Sequence, residues 1–511
     1  MTSRARARLG TPPAVGLGAF VVVLLGLVLR NRGLFTTRLY EVGDAAANSL
    51  LVNDAQSFSL LVGHYSRIGF NHPGPGMLYL QAAGEAVFYD ALGLVVGPYN
   101  GQVLAVLALQ AAVIGSVVAI IYSWDRRWPV PLAGLAVIAL WYEGHAFAIT
   151  STWIPHIVVA PFLLLIVSAA SVAAGNVRHL WLLAASAGLL VHAHVEFALF
   201  APALTLAALL AWAITERLGP KALWQRSPRS WAIALAVVGV FLLPIALNTL
   251  LNWPGEVPKY LSYSGGEERP SPSLPEALHY ARQFWVPDFP GARFVPALLT
   301  LAAAAAAWAA PRRLRRPLLA VTGAGILAEA LFVVYALVGI DDLTQDYIGL
   351  FSWSVPLAML LVLTTSVVAW MSEARPAGVA VAVVAAGLVA WSFTGDGVSL
   401  RPDSIAGLPQ TFEAVEQAAD SRPIVLDIGA GAGPFIEGTA LLVHLEREGE
   451  DVCTTTVTLT IQVTPDRICT AEQRAEGRVF TLSEPGPPAA DPPPGGTTRL
   501  PGQVSEITVV P

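Results

Sequence analysis

Residues 101–123, GQVLAVLALQAAVIGSVVAIIYS, contain no charged side chain. A helix of about 20 apolar residues is long enough to cross the roughly 30 Å hydrocarbon core of a bilayer. Ten further segments of similar character accompany this one. They lie at about 13–30, 129–146, 156–175, 180–193, 197–215, 231–252, 293–310, 318–340, 353–370 and 377–394. The sequence therefore predicts an all-α polytopic membrane protein with about eleven transmembrane helices.

The composition excludes several classes of protein. Of 511 residues, 55% are hydrophobic and only 13% are charged, with a mean hydropathy of +0.59, whereas soluble chains carry about 25% charged residues. A net charge of −6 without a basic stripe argues against nucleic-acid binding. Two cysteines are too few for a cysteine-based zinc or iron–sulfur site.

The cationic side chains predict which way the chain crosses the membrane. Basic residues recur at alternate connections, which places them all on one side if the N-terminus is cytoplasmic. They are Arg4, Arg6, Arg8, Arg126, Arg127, Arg178, Arg217, Lys221, Arg226, Arg229, Arg312, Arg313, Arg315, Arg316 and Arg375. We expect a multi-pass protein of the cell membrane whose loops 31–100 and 253–292 lie outside. An amphipathic segment, 73–97, is expected to lie in the membrane interface.

The C-terminal region differs in character from the rest of the chain. Residues 401–511 contain 16 acidic side chains and seven arginines, a net charge of −9. Segments 423–428 and 452–463 are typical of strands, and 434–449 is typical of a helix with an apolar stripe. Cys453 and Cys469 are expected to form a disulfide in an oxidising exterior compartment. The predicted organisation is a transmembrane domain 1–395, a small exterior (periplasmic) α/β domain 396–483 and a Pro/Gly-rich flexible tail 484–511.

One glycine-rich stretch resembles a cofactor loop. Residues 425–433, VLDIGAGAG, are similar to the turn that cradles S-adenosylmethionine in soluble methyltransferases, where glycine permits close backbone approach to a ligand. Fewer than 80 residues follow, too few for the remaining strands of a doubly wound sheet. We interpret the stretch as an ordinary strand-to-helix turn.

Polar residues concentrate in the loop 31–100. The segments YEVGDAAANSLLVNDAQ (40–56) and GHYSRIGFNHPGPG (63–76) contain the acids and the basic groups. Carboxylates that follow a membrane helix can accept a proton from a hydroxyl nucleophile or hold a cation. The acids are Glu41, Asp44 and Asp54, and the basic groups are His64, Arg67 and His72. A solvated polar loop is the structural alternative.

Two further groups are candidate binding residues. His192, His194 and Glu196 lie at one turn, where they could hold a divalent metal, bind a phosphate or simply pack. Loop 253–292 carries cations together with aromatic residues, a combination that suits a lipid phosphate or an interfacial anchor. Its candidate cations are Lys259, Arg269 and Arg282.

This arrangement resembles the GT-C class of membrane glycosyltransferases, which includes protein O-mannosyltransferases, lipid A aminoarabinose transferases and mycobacterial arabinofuranosyltransferases. The resemblance rests on the first helix, the acidic loop after it, about eleven spans and an exterior C-terminal domain. The resemblance in architecture extends over the whole chain, but the sequence motifs that support it lie only within residues 40–76. Because arginine outnumbers lysine by 28 to 2, which is typical of a GC-rich genome, we expect a bacterial and specifically actinobacterial source.

The resemblance implies inverting transfer of a sugar from a polyprenyl-phosphate donor to a cell-envelope glycan or glycolipid. Members use a carboxylate of the first loop as base, and Glu41-Val-Gly-Asp44 is the matching stretch, with Asp44 the first choice. The pair of adjacent acidic residues that is usual in this class is absent, so Glu41 and Asp54 remain alternative candidates for the base. The departing phosphate would be neutralised by His64, Arg67, His72 or the cations of loop 253–292. The resemblance identifies no definite cofactor and leaves a divalent cation open.

Two other functions compete with this interpretation. A polysaccharide polymerase or ligase shares the lipid-linked donor. A lipid or solute transporter would place ionisable groups within its helices, and Glu329 in the ninth apolar segment is the clearest such acid.

Overall fold

The computed structural model describes residues 10–264, 272–286, 289, 291–394, 405, 407–486 and 498–509. The main helices are α1 Pro12–Arg30, α2 Gly43–Gln56, α3 Gly76–Gly84, α4 Pro98–Trp124, α5 Pro129–Gly144, α6 Ile154–Ala173, α7 Val177–Ala193, α8 Phe197–Thr215, α9 Pro228–Leu251, α10 Leu274–Gln283, α11 Ala292–Ala309, α12 Arg312–Val338, α13 Asp346–Met371, α14 Arg375–Ser392, α15 Leu408–Ala419, α16 Ala432–Glu448 and α17 Ala471–Glu476. The strands are β1 Ile424–Ile428, β2 Val452–Thr454, β3 Arg478–Ser483, β4 Thr498–Leu500 and β5 Glu506–Val509.

Nine helices of the described residues are long and apolar enough to cross a membrane. They are α1, α4, α6, α8, α9, α11, α12, α13 and α14. Two shorter apolar helices, α5 and α7, account for the other two predicted segments. The polytopic helical fold is therefore confirmed, while the inward N-terminus stays a prediction. The amphipathic segment forms α3 and continues as a π-helix over Glu85–Ala91.

The chain divides into two compact units whose bounds differ from the predicted domains. The first unit comprises Met1–Arg32, His72–Met77 and Leu104–Val398. The second comprises Gly33–Asn71, Leu78–Val103 and Ser399–Pro511. The sequence predicts that loop 31–100 belongs to the transmembrane domain. Most of this loop instead belongs with the C-terminal region. The physical reason is a shared apolar core in which Ala46 and Leu50 of α2 pack with residues of the C-terminal sheet and helices.

The second unit is built on a five-stranded sheet of order β2-β1-β3-β5-β4. Strands β2, β1 and β3 run parallel, whereas β5 is antiparallel to both β3 and β4. The predicted β1 and α16 are present, and a disulfide joins Cys453 to Cys469 with an S–S distance of 2.09 Å. The sheet with its helices forms the small α/β unit that the sequence predicts.

Two expectations about this region are wrong. The β-branched run 452–463 is a strand only over Val452–Thr454, because the Thr454 hydroxyl donates to the Leu426 carbonyl and accepts from the Thr456 amide as the chain turns away. The tail 484–511 is not flexible throughout, since β4 and β5 lie within it. Alternating side chains explain β5, where Ile507 and Val509 are buried.

A buried carboxylate holds the C-terminal strands in place. Glu437 of α16 is fully buried and accepts hydrogen bonds from the backbone amides of Gln503 at 2.8 Å and Ser505 at 2.9 Å. It also accepts from the hydroxyl of Ser505 at 2.6 Å and from that of Thr411 at 3.3 Å. The segment 503–505, which leads into β5, is therefore fixed through one side chain.

Replacing this carboxylate should loosen that segment. In Glu437→Gln an amide nitrogen replaces one acceptor oxygen, leaving buried donors unmatched at a cost of about 3 kcal/mol. We expect hydrogen exchange at amides 503–505 to accelerate about 100-fold, since each 1.4 kcal/mol is about tenfold. The control is Glu413→Gln on α15, whose side chain is exposed. Equal exchange rates in the two variants would contradict this role of Glu437.

Candidate functional site

Glu41, one of the predicted bases, lies in a buried ion-pair network of the second unit. Arg447 of α16 donates to the Glu41 carboxylate and, at 3.0 Å, to the carboxylate of Glu85. Gln102 donates to the same Glu85 oxygen at 2.9 Å. Glu41 is 4% exposed and Glu85 is 6% exposed. Because its charge is matched by an arginine away from solvent, Glu41 is a structural group in this arrangement.

Asp54, the other alternative base, is paired in a similar way. Arg467 is buried and donates to both Asp54 oxygens, at 3.2 and 3.0 Å. The same guanidinium donates to Glu446 of α16, at 2.6 Å from one of its nitrogens. The carboxylate of Asp54 therefore fixes the C-terminal end of α2 within this unit.

The environment of Asp44 differs from those of Glu41 and Asp54. Asp44 is exposed, it lies in the first turn of α2, and it accepts a hydrogen bond from the Tyr65 hydroxyl. Gly43 immediately before it has φ +53°, a left-handed conformation that suits glycine and turns the extended chain into the helix. The amides at a helix N-terminus favour a negatively charged group there. The helix therefore presents an ionisable, accessible carboxylate in a fixed position.

The remaining basic groups of loop 31–100 are arranged unequally. Tyr65 and Asn71 form an antiparallel bridge, and the Ser66 amide donates to the Phe70 carbonyl at 2.7 Å. Arg67 is exposed at the tip of this turn, whereas His64 is 3% exposed. Of these two predicted phosphate-binding residues, Arg67 is the accessible one.

In the first unit, His72 lies beside the His192–Glu196 group. The rings of His72 and His194 are 4.0 Å apart, and the His72 Nδ1 atom accepts from the Val195 amide at 3.3 Å. His192 uses both ring nitrogens: Nδ1 accepts from the Gly76 amide at 3.0 Å, and Nε2 donates to the Phe241 carbonyl at 2.6 Å. No lone pair of His192 is left for a metal ion.

The observed contacts of His192 do not support the metal interpretation of this group. Within the described part of the chain, no three His, Cys, Asp or Glu side chains are placed to hold a metal. Burial lowers the pKa of His194 to about 4 and raises the pKa of Glu196. His194 is thus neutral near pH 7 and offers no positive charge to a phosphate. The group holds the segment 72–77 against the α7–α8 turn.

A cavity of about 940 Å³ lies in the first unit beside α10 and α12. Its polar lining consists of His279, Arg282, Arg293 and Glu329. Its apolar lining includes Leu278, Phe289, Pro296 and Val333. Guanidinium groups bind phosphate in a bidentate manner, so these walls suit a ligand with an anionic head and an apolar tail.

The three cations predicted for loop 253–292 fare differently. Arg282 lines the cavity, and its Nη2 atom is 3.0 Å from the His279 Nδ1 atom. Lys259 is absent from the lining and pairs with Glu256 at 2.9 Å. Arg269 lies outside the described residues. The sequence alone did not identify Arg293 as a binding residue because it is the first residue of the apolar segment 293–310. A single arginine at the start of a membrane-spanning segment was the one sequence feature that could have indicated it.

The glycine-rich turn after β1 is filled by the chain itself. The Gly433 amide donates to the Glu484 carboxylate at 3.0 Å, and a Cβ atom at Gly431 would collide with the same side chain. An anion at a helix N-terminus is a common arrangement. Here that anion is Glu484, which agrees with the interpretation of the stretch as a structural turn.

No protein-family model matches the chain, and no curated protein matches it. One solved structure to which it is similar is that of ArnT from Cupriavidus metallidurans bound to undecaprenyl phosphate. The similarity has a TM-score of 0.57 at 14% sequence identity and covers 99% of this chain and 98% of that chain. ArnT is an aminoarabinose transferase of the GT-C type. The chain is therefore a polytopic membrane protein that shares the fold of this ArnT structure.

Proposed function

We propose that the protein transfers a sugar from a polyprenyl-phosphate sugar to a cell-envelope glycan or glycolipid at the exterior membrane face. The observation that carries this proposal is the fold, which matches along 99% of the chain that of a transferase solved with undecaprenyl phosphate. The cavity in the first unit supports it independently, because arginine side chains and apolar walls are combined there.

Asp44 is the proposed base. Its carboxylate takes the proton of the acceptor hydroxyl as that oxygen attacks the anomeric carbon with inversion. The bond between the anomeric carbon and the phosphate oxygen breaks, and its electron pair leaves with the polyprenyl phosphate. Arg282 and Arg293 are proposed to bind this phosphate and to stabilise its growing charge. A phosphate is a good leaving group, so no second acid is required.

Transport has no comparable support. Glu329, the acid that favours it, lines the same cavity as Arg282 and Arg293 and accepts a hydrogen bond from Ser352 at 3.4 Å. Glu329 is then one of the polar residues that line a binding site for a single amphiphilic ligand. The lipid-linked transfer therefore accounts for Glu329 without alternating access.

Binding of undecaprenyl phosphate to the purified protein tests the donor site. We expect Arg282→Ala and Arg293→Ala each to weaken binding about 10- to 100-fold, since hydrogen bonds to charged groups contribute about 1.5–3 kcal/mol. The matched control is Lys259→Ala, a cation of the same loop that does not line the cavity. Affinities that stay at the wild-type value in both arginine variants would contradict the assignment.

A further inference from the structure

A second cavity, of about 620 Å³, lies in the first unit along α1, α4 and α7. Its position follows from a glycine contact between α1 and α4: a Cβ atom on Gly115 would be 2.6 Å from the Gly16 carbonyl oxygen. The two helices meet closely there and leave a groove alongside. Leu17 lines the groove and is 62% exposed, and Trp181 lines it and is 43% exposed. The groove is thus apolar and open at the surface.

One end of the groove carries positive charge. Arg178, at the start of α7, lines it and is exposed, and Arg126 lies near the same end through its contact with Gly10, two residues before the lining residue Pro12. Arg126 donates to the Gly10 carbonyl at 3.1 Å. Among the described residues, no salt bridge to a carboxylate is found for either arginine.

Two acids that lie next to Arg126 and on the connection after α8 are already engaged. Asp125, next to Arg126, pairs with Arg127 at 2.7 Å and with Arg313 at 3.1 Å. Glu216 pairs with arginines 226 and 316, at 3.2 and 3.6 Å. The positive charge at the end of the groove is therefore complementary to an anion from outside the chain.

We propose that this groove binds one anionic phospholipid of the surrounding bilayer. Its phosphate lies on Arg178 and Arg126, and an acyl chain lies along Leu17 and Trp181. Basic pockets between membrane helices bind acidic headgroups, and tryptophan is common at that depth. The positive-inside pattern predicts that this end is cytoplasmic, where anionic lipids concentrate. The site is separate from the cavity of Arg282 and independent of the proposed transfer reaction.

The experiment uses the full-length protein in phosphatidylcholine nanodiscs with increasing phosphatidylglycerol, and native mass spectrometry measures the retained lipid. We expect one phosphatidylglycerol to be retained per wild-type protein and Arg178→Ala to weaken its retention about tenfold. The control, Arg375→Ala, removes an exposed arginine at the start of α14 that does not line the groove. It should stay within about twofold of wild type, since its guanidinium does not line the groove.

A second variant tests the apolar part. Leu17→Trp enlarges an exposed lining side chain without disturbing the core and should also reduce retention. Retention by Arg178→Ala equal to that of wild type, or equal retention of phosphatidylcholine and phosphatidylglycerol, would overturn the proposal. Displacement of the lipid by an equimolar amount of undecaprenyl phosphate would assign the groove to the donor instead and would also overturn it.

Discussion

The variant Asp44→Asn should lose at least about 100-fold in transfer rate while keeping its fold. General-base catalysis contributes about 10²- to 10⁴-fold, and asparagine can still accept the Tyr65 hydrogen bond at the start of α2 but cannot take a proton. The rate is measured as sugar incorporated into the acceptor by membranes of a deletion strain that contain equal amounts of each variant.

The controls for this prediction separate chemistry from charge. Asp90→Asn removes an exposed carboxylate of the same unit and should leave the rate unchanged. Tyr65→Phe removes only the hydroxyl that orients Asp44 and should lower the rate by less than about tenfold, the value of one net hydrogen bond. Full activity of Asp44→Asn would exclude Asp44 as the base.

The second large effect is expected at Arg447. Removing one partner of a buried ion pair costs about 3–5 kcal/mol because an unmatched charge is left behind. In Arg447→Met both Glu41 and Glu85 lose their partner, so the free energy of unfolding of the second unit should fall by about this amount. Denaturant unfolding followed by hydrogen exchange in α2 and α16 measures it. Arg38→Met is the control, since its pair with Glu448 is exposed and contributes less than about 1 kcal/mol.

Two further results distinguish lost charge pairing from lost packing. The triple variant Arg447→Met/Glu41→Gln/Glu85→Gln contains no unmatched charge and should recover most of the stability. Burial raises the pKa of Glu85 above its unfolded value. A carboxyl group whose pKa is higher in the folded state than in the unfolded state stabilises the folded protein at low pH, and this stabilisation is lost as the pH rises. The Arg447→Met variant should therefore be more stable near about pH 5 than near about pH 8. A triple variant as unstable as Arg447→Met would contradict the ion-pair explanation.

The apolar segments could be predicted because membrane helices depend on local composition and length. All eleven predicted segments coincide with helices, and β1 and α16 follow from equally local patterns. The partners of the loop acids could not be predicted in this way. Arg447 is 406 residues from Glu41, and Arg467 is 413 residues from Asp54. No local pattern indicates such pairs, so Glu41 and Asp54 stayed alternatives to Asp44, which is the exposed carboxylate of the three.

The same limitation applies to the histidines and to the cavity. The spacing of His192 and His194 leaves metal binding open, and only the contacts of His192 with Gly76 and Phe241 argue against it. Arg293 became a candidate phosphate-binding residue together with Arg282 only because the structure shows that α10 and the start of α11 line one cavity. Tertiary contacts thus decided which polar residues are structural and which are candidate binding groups.

The central claim is tested most directly by the lipid-linked sugars and surface glycans of a deletion strain, measured by mass spectrometry and compared with the wild type. The account predicts that one glycosidic linkage disappears and that an unused polyprenyl-phosphate sugar accumulates, with both restored by the wild-type protein. An unchanged glycan profile with no accumulated lipid-linked sugar would contradict it.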